Sequence, residues 1–147
     1  MPSNRVVLDT NCLLVSISRY GEAYPVWRAF LDGQYTLCVS TEILEEYEEI
    51  IGRLTSPEVA RNIVGAILKR KNVLRIDPYF HWQLIAEDPD DNKFVDCAFA
   101  ANATYIVSDD THFDVLRNIA FPKLLVLKLT EFLETLQKSD DVERENS

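Results

Sequence analysis

The sequence predicts an α/β domain, a central parallel sheet of four to five short strands flanked by helices. Three observations lead there. Short apolar, β-branched runs bounded by turn residues recur along the chain and alternate with stretches of helical periodicity. Acidic or hydroxyl residues stand just past three of these runs, where sites of parallel sheets lie. No repeat, linker or composition break divides the 147 residues, and 47% apolar content suffices for one sizeable core.

Arg5-Val6-Val7-Leu8 reads as a buried central strand, ending abruptly at Asp9-Thr10-Asn11. Ala23 to Leu31 reads as a helix, with Pro25 tolerable in its first turn, and Asp32-Gly33-Gln34 ends it. Tyr35 to Val39 is a second buried strand. Ser40 or Thr41 can cap the next helix, which runs to about Leu54. Ser56-Pro57-Glu58 opens another, lasting to about Lys71, by the cap-then-proline pattern. Val73 to Ile76 is a third strand. Asp77 to Asp90 looks mostly irregular, with a turn of helix allowed at Trp82 to Ala86. A helix follows from Asp91, then strands at Tyr105-Ile106-Val107 and Leu124 to Leu127, with Asp114 to Asn118 helical between them. A final helix covers about Glu131 to Gln137. Residues 1–137 are read as one domain, and the charged tail 138–147, without apolar anchors, is expected to fray.

A formal charge of -9 disfavours a simple electrostatic nucleic-acid binder, so work on nucleic acid would require cations or a local basic patch. Lys69, Arg70, Lys71 and Arg75, with Arg61 further back, are the candidates for contacting backbone phosphates. The chain start leads directly into a strand-like run without a secretory pattern, and no apolar run approaches membrane-spanning length. Cys12, Cys38 and Cys97, odd in number and set among apolar residues, read as reduced core thiols of a cytoplasmic protein. His81 and His112 have no His or Cys at ligand spacing and read as surface or packing residues, which argues against zinc. There is no GxSxG and no glycine-rich phosphate loop among four glycines.

Helix-face arithmetic at ~100° per residue sorts the carboxylates. In the helix after Ser40, Ile43, Tyr47, Ile50, Ile51 and Leu54 form the buried stripe. Glu42, Glu45 and Glu49 read as solvated, whereas Glu46 lies at the stripe's border and can face a cleft. In the helix from Asp91, Phe94, Val95, Ala98 and Ala101 define the apolar centre and Asp91 falls within that arc. Asp96 falls opposite, as a solvated residue, and Asp90 is the expected cap. Asp9 follows a strand buried on both faces; Asp109 and Asp110 follow another, and periodicity does not separate them. Four carboxylates, Asp9, Glu46, Asp91 and Asp110 or Asp109, suit a hard cation, one or two ions of Mg²⁺ or Mn²⁺. A pair of such ions can activate water and stabilise the leaving oxygen of an in-line phosphodiester displacement.

The chain resembles PIN-domain ribonucleases, particularly the bacterial and archaeal toxins of toxin–antitoxin pairs. The resemblance rests on Val6-Val7-Leu8-Asp9-Thr10-Asn11, the run Val39 to Tyr47, Asp88 to Phe94 and Ile106-Val107-Ser108-Asp109-Asp110, four pieces in order. It implies a metal-dependent endoribonuclease with acidic metal positions at Asp9, Glu46, Asp91 and Asp110. The last stands two residues after the Ser that ends its strand, Ser108, which favours Asp110 over Asp109. Asp109 is a reserve ligand. Thr10, Asn11, Ser40 and Ser108 match polar positions that support the site. The partners implied are an RNA substrate and an antitoxin protein; a homodimer stays open. Two rivals are a catalytically silent PIN-like module binding RNA or a partner, and a metal-dependent phosphatase. The phosphatase reading lacks a second Asp two residues after Asp9, where Asn11 stands, and a lysine partner.

Overall fold

A computed structural model describes residues 4–118 and 124–145. Its strands are β1 (Arg5–Leu8), β2 (Thr36–Val39), β3 (Val73–Arg75), β4 (Tyr105–Val107) and β5 (Leu125–Leu127). They form one 5-stranded sheet, parallel throughout, in the order β3-β2-β1-β4-β5. Val6 pairs with Leu37 on one side and Tyr105 on the other, so β1 is central. Val6, Val7, Leu8, Leu37, Cys38, Val39, Ile106 and Val107 are all buried, as strands covered on both faces must be. The chain builds outward from β1 through β2 to β3, then returns to β1's other side for β4 and β5. The order therefore reverses between β1 and β4, and a crevice opens beyond their carboxyl ends.

The helices are α1 (Thr10–Ser16), α2 (Tyr24–Leu31), α3 (Thr41–Leu54), α4 (Pro57–Lys69), α5 (Asn92–Ala100) and α6 (Leu129–Glu145), with 3-10 segments at Pro89–Asp91 and Thr111–Asn118. Ser40 caps α3 by accepting from the Ile43 amide at 3.2 Å, and Ser56 caps α4 by accepting from Val59 at 3.1 Å, with Pro57 in the first turn. Phe30 on α2, Tyr35 just before β2 and Phe132 on α6 are linked through ring contacts at 6.1 and 5.1 Å. The three cysteines are free and buried. Among the described residues no helix is long and apolar enough to cross a membrane.

Tyr47 fastens α3 to the end of the central strand. It is fully buried, and its hydroxyl donates to the Leu8 carbonyl at 2.5 Å, one residue before Asp9. Tyr47→Phe leaves that buried carbonyl without its side-chain donor, so we expect a loss of about 1–3 kcal/mol in urea unfolding with an unchanged m value. A stability equal to wild type would remove this anchor from the account.

Several element limits differ from the sequence reading. Thr10–Ser16 is helical because the Asp9 carboxylate supplies the cap, accepting from the Cys12 amide at 2.8 Å. α4 stops at Lys69: Arg70 is already extended, and the Asn72 side chain turns back to donate to the Phe30 and Tyr35 carbonyls at 2.9 and 2.8 Å. Leu54, read as part of the buried stripe, is exposed, because it ends α3 beyond the core. No helical turn forms at residues 82–86, where Gln83 takes a left-handed conformation at φ 53°. α6 begins at Leu129, whose amide donates to Asp109 at 2.9 Å, a cap delivered from 20 residues upstream. It continues through Glu145, across most of the stretch expected to fray; residues 1–3, 119–123 and 146–147 lie outside the described residues.

Candidate metal centre

Asp9 stands at the carboxyl end of β1, buried at 6% exposure. One carboxylate oxygen takes the Cys12 amide and the other the Ser108 hydroxyl, from the end of β4. Burial pushes its pKa up, the Ser108 and Cys12 hydrogen bonds pull it down, and the nearby Asp109 adds to the rise. The Ser108 oxygen also accepts from the Asp110 amide at 3.0 Å, so one hydroxyl ties Asp9 to the Asp110 backbone. Asp9, Asn11, Asp109 and Asp110 line one cavity of about 260 Å³.

Asp110 joins this pocket to a second group. Its Oδ1 accepts from the His112 amide at 2.9 Å and lies 3.3 Å from His112 Nδ1, which is 3.4 Å from Asp91 Oδ2. One ligand atom each from Asp88, Asp91 and His112 can be chosen so that all three lie within 4.8 Å of one another. Burial, then Asp88 and Asp110, push the Asp91 carboxyl up to about 6 against the favourable His112 hydrogen bond. The same contacts, Asp91 foremost and then Asp110 and Glu87, hold His112 above its ordinary value despite some desolvation.

Glu46 is tied differently. One oxygen accepts the Thr10 hydroxyl and the other pairs with Lys93 at 2.8 Å, while Lys93 also meets Asp90 at 3.0 Å. Lys93 is 12% exposed on its side chain; burial opposes its charge, but Glu46 and Asp90 more than offset that and hold its pKa up. Lys93 is thus the internal cation for Glu46. Among the described residues no Lys or Arg forms an ion pair with Asp9, Asp91 or Asp110. A set of oxygen donors whose ionisation burial and like charges oppose, without a protein cation, fits a hard divalent ion.

The remaining sequence candidates fall in four places. Ser40 is buried and spent on the α3 cap, lining a groove beside Asp90 and Lys93. Asp109, exposed, is used to cap α6 while remaining on the Asp9 pocket. Lys69, Arg70 and Lys71 do not join the centre: they precede β3, at the amino edge of the sheet, where Arg70 donates to the Leu31 carbonyl at 3.1 Å. Arg75 alone of that group ends a strand at the carboxyl edge, 3.4 Å from the Thr41 hydroxyl. Charge spacing along the chain does not show which end of a parallel strand a loop occupies.

Two carboxylates have roles opposite to those expected. Asp96, read as solvated, is 4% exposed and accepts from the Trp82 amide at 2.9 Å with His81 Nδ1 at 3.1 Å, because the 77–88 loop folds over what would be an open helix face. Asp88 rather than Asp90 makes the capping bond, accepting from the Asp90 amide at 3.2 Å. Single-residue logic also passed over His112 and Lys93. The Asp-x-His spacing at Asp110 and His112 was the available signal, and only Asp91's approach from the 3-10 turn ahead of α5 gives it meaning.

A flanked parallel sheet whose carboxylates gather beyond the strands at its switch point defines an α/β protein with an acidic centre of the divalent-metal type. A family model described as PIN domain matches residues 5–112, and the chain belongs to the PIN domain family. Among solved structures the chain is similar to VapBC2 from Rickettsia felis, bound to a DNA fragment from their promoter, at 18% identity and TM-score 0.59, covering 84% of this chain and 98% of that one. It is also similar to the RRP44 PIN domain of T. brucei, at 17% identity and TM-score 0.52, covering 97% and 86%. No curated protein gives a significant match.

Proposed function

We propose that the chain is a metal-dependent endoribonuclease, acting as the toxin of a toxin–antitoxin pair. The observation that carries the nuclease reading is the arrangement of Asp9, Asp91 and Asp110 at the switch point, without a Lys or Arg partner among the described residues, together with membership of the PIN family. The toxin role and an antitoxin partner come from the resemblance of the four motifs, and the likeness to VapBC2 is in keeping with them at the level of fold.

Asp9, Asp91 and Asp110, with Asp88 and His112 alongside, would hold Mg²⁺ or Mn²⁺. When bound, such an ion supplies Lewis acidity toward water and the scissile phosphodiester and offsets the acidic field. The chain's own residues prepare the place. Ser108 and the Cys12 amide fix both oxygens of Asp9, so its carboxylate needs little reordering. Thr10 and Lys93 fix Glu46 in the same way, and Lys93 lowers the negative charge an incoming phosphate must meet. His112 Nδ1 stands 3.4 Å from Asp91 and 3.3 Å from Asp110, so an arriving cation would compete with it for both carboxylates.

Purified chain is expected to cut members of a panel of single-stranded and structured RNAs in Mn²⁺ and to stop on addition of EDTA. Expression in a bacterial host is expected to arrest growth, with Asp9→Asn relieving the arrest. Intact RNA throughout the panel at saturating Mn²⁺, from folded protein, would overturn the catalytic reading in favour of a binding module.

A further inference from the structure

Glu46 reads from the sequence as a metal ligand, yet the fold gives both of its oxygens other partners. Oε2 accepts the Thr10 hydroxyl, and Oε1 meets the Lys93 ammonium at 2.8 Å. The same ammonium reaches Asp90 at 3.0 Å, so carboxylates from α3 and from the 3-10 turn ahead of α5 share one cation. Lys93 Nζ also lies over the buried Phe94 ring, 5.9 Å from its centroid, within cation–π range. The cluster differs in kind from the other lysine and arginine pairs. The side chains of Lys93 and Glu46 are 12% and 16% exposed, whereas Arg28–Asp32 and Arg53–Glu49 lie open on helix surfaces. An exposed pair yields to a competing ion at little cost, but breaking this one strands a charge away from water.

Glu46 also stands apart from the other acids. Among the described residues it takes no part in the Asp88, Asp91 and His112 group, and it does not line the cavity of Asp9 and Asp110. A divalent ion on Glu46 would have to expel the ammonium or sit against it, cation facing cation. From this geometry we infer that the Lys93 ammonium takes the place of a second cation, so that the centre binds one divalent ion per chain and Glu46 is reserved for the lysine. The inference rests on the metal-centre reading above and goes beyond it by fixing the number of ions and the role of Glu46. An ammonium offers no open coordination position, so Lys93 is a positioning residue. It holds Glu46 and Asp90 in place and supplies a charge that chelation does not remove.

The test counts Mn²⁺ on the full chain at neutral pH without RNA, reading bound ion by calorimetry and free ion by the EPR signal of the hydrated metal. One ion per chain is expected for the wild type. Lys93→Met keeps the length of the side chain and removes its charge, and it is expected to admit a second ion; Lys93→Arg is expected to keep the count at one. Glu46→Gln is expected to weaken Mn²⁺ binding only about threefold, the screened effect of one nearby charge. Asp91→Asn, which removes a ligand, is expected to weaken it about a hundredfold. Two ions on the wild type would overturn the inference, as would a single ion on folded Lys93→Met or equal losses in Glu46→Gln and Asp91→Asn. Should Lys93→Met fail to fold, the wild-type count and the Glu46→Gln affinity decide by themselves. No bound ion at all would overturn the inference together with the metal centre. One ion on a chain that never cuts RNA would support it and count against the catalytic reading alone.

Discussion

Asp91→Asn is expected to lower Mn²⁺-dependent RNA cleavage by about a hundredfold or more while making the metal-free protein more stable. The two effects share one cause. Asp91 is 18% exposed on its side chain and its ionisation is opposed by burial, by Asp88 and by Asp110. Its carboxyl therefore titrates near about 6 in the folded protein against an ordinary 3.8. A folded-state pKa above the unfolded one means the native state binds more protons between those values. Metal-free stability must then fall as pH rises from about 4 to about 6, and the full penalty persists above that. His112, raised first by Asp91 and then by Asp110 and Glu87, adds stability below its ordinary pKa that is lost as pH rises through its folded value. Both slopes run downward with pH. The neutral amide removes Asp91's share, and after allowance for solvent screening we expect a gain of about 1–2 kcal/mol at pH 7.5 in EDTA. Mn²⁺ should reverse the pattern in the wild type, raising Tm more at pH 7.5 than at pH 5, because protons and cation compete for one carboxylate. Thermal melts with and without Mn²⁺ check this. Wild-type cleavage by Asp91→Asn would remove Asp91 from the centre, and a metal-free variant less stable than wild type would refute the repulsion.

The largest structural effect is expected at Phe94. It is 1% exposed, sits on α5 one turn after Asp91, and meets Phe113 edge-on at 6.4 Å. Phe113 follows His112 directly, so this ring pair sets how closely α5 approaches the segment carrying Asp110 and His112. Phe94→Ala is expected to cost about 3–5 kcal/mol, much of the stability of a domain this size. Phe94→Leu keeps most of the volume and should cost less than half of that. The variant that folds, Phe94→Leu, is expected to bind Mn²⁺ more weakly in calorimetry, since loosening the ring pair lets Asp91 draw away from Asp110. Equal Mn²⁺ affinity in Phe94→Leu and wild type would show that the two acids are held by something other than this packing.

Local chemistry made much of this molecule legible in advance. Runs such as Val6-Val7-Leu8 and Leu37-Cys38-Val39 are short, apolar on consecutive residues and rich in β-branched side chains, which suits a strand covered on both faces, so a parallel sheet followed. Ser40 and Ser56 announced helix starts through hydroxyl caps within three residues. Asp9 was conspicuous as a carboxylate at the end of a strand buried on both faces; Asp91 was singled out by helix-face arithmetic, although it lies in the 3-10 turn just before α5. These are short-range facts, and the order of residues carries them.

What only the tertiary structure decided is long-range pairing. Asp96 lay on the wrong helix face for the core, yet it is buried because a loop 14 residues upstream brings the Trp82 amide to it. Glu46 was singled out as a border residue, and its partner Lys93 arrives from 47 positions away by the packing of α5 beside α3. Asp109 and Asp110 were inseparable by period. The fold gives Asp109 to the start of α6 and turns Asp110 toward His112 and Asp91. Lys69 to Lys71 were candidates for phosphate contacts, and it is strand direction that puts them at the amino edge of the sheet and not beside the acidic centre. In each case the sequence by itself determined what a residue offers, a charge, a cap or an apolar face. Which partner accepts the offer depended on strand order and loop closure, because burial removes water as the default partner and only a neighbour in space can replace it.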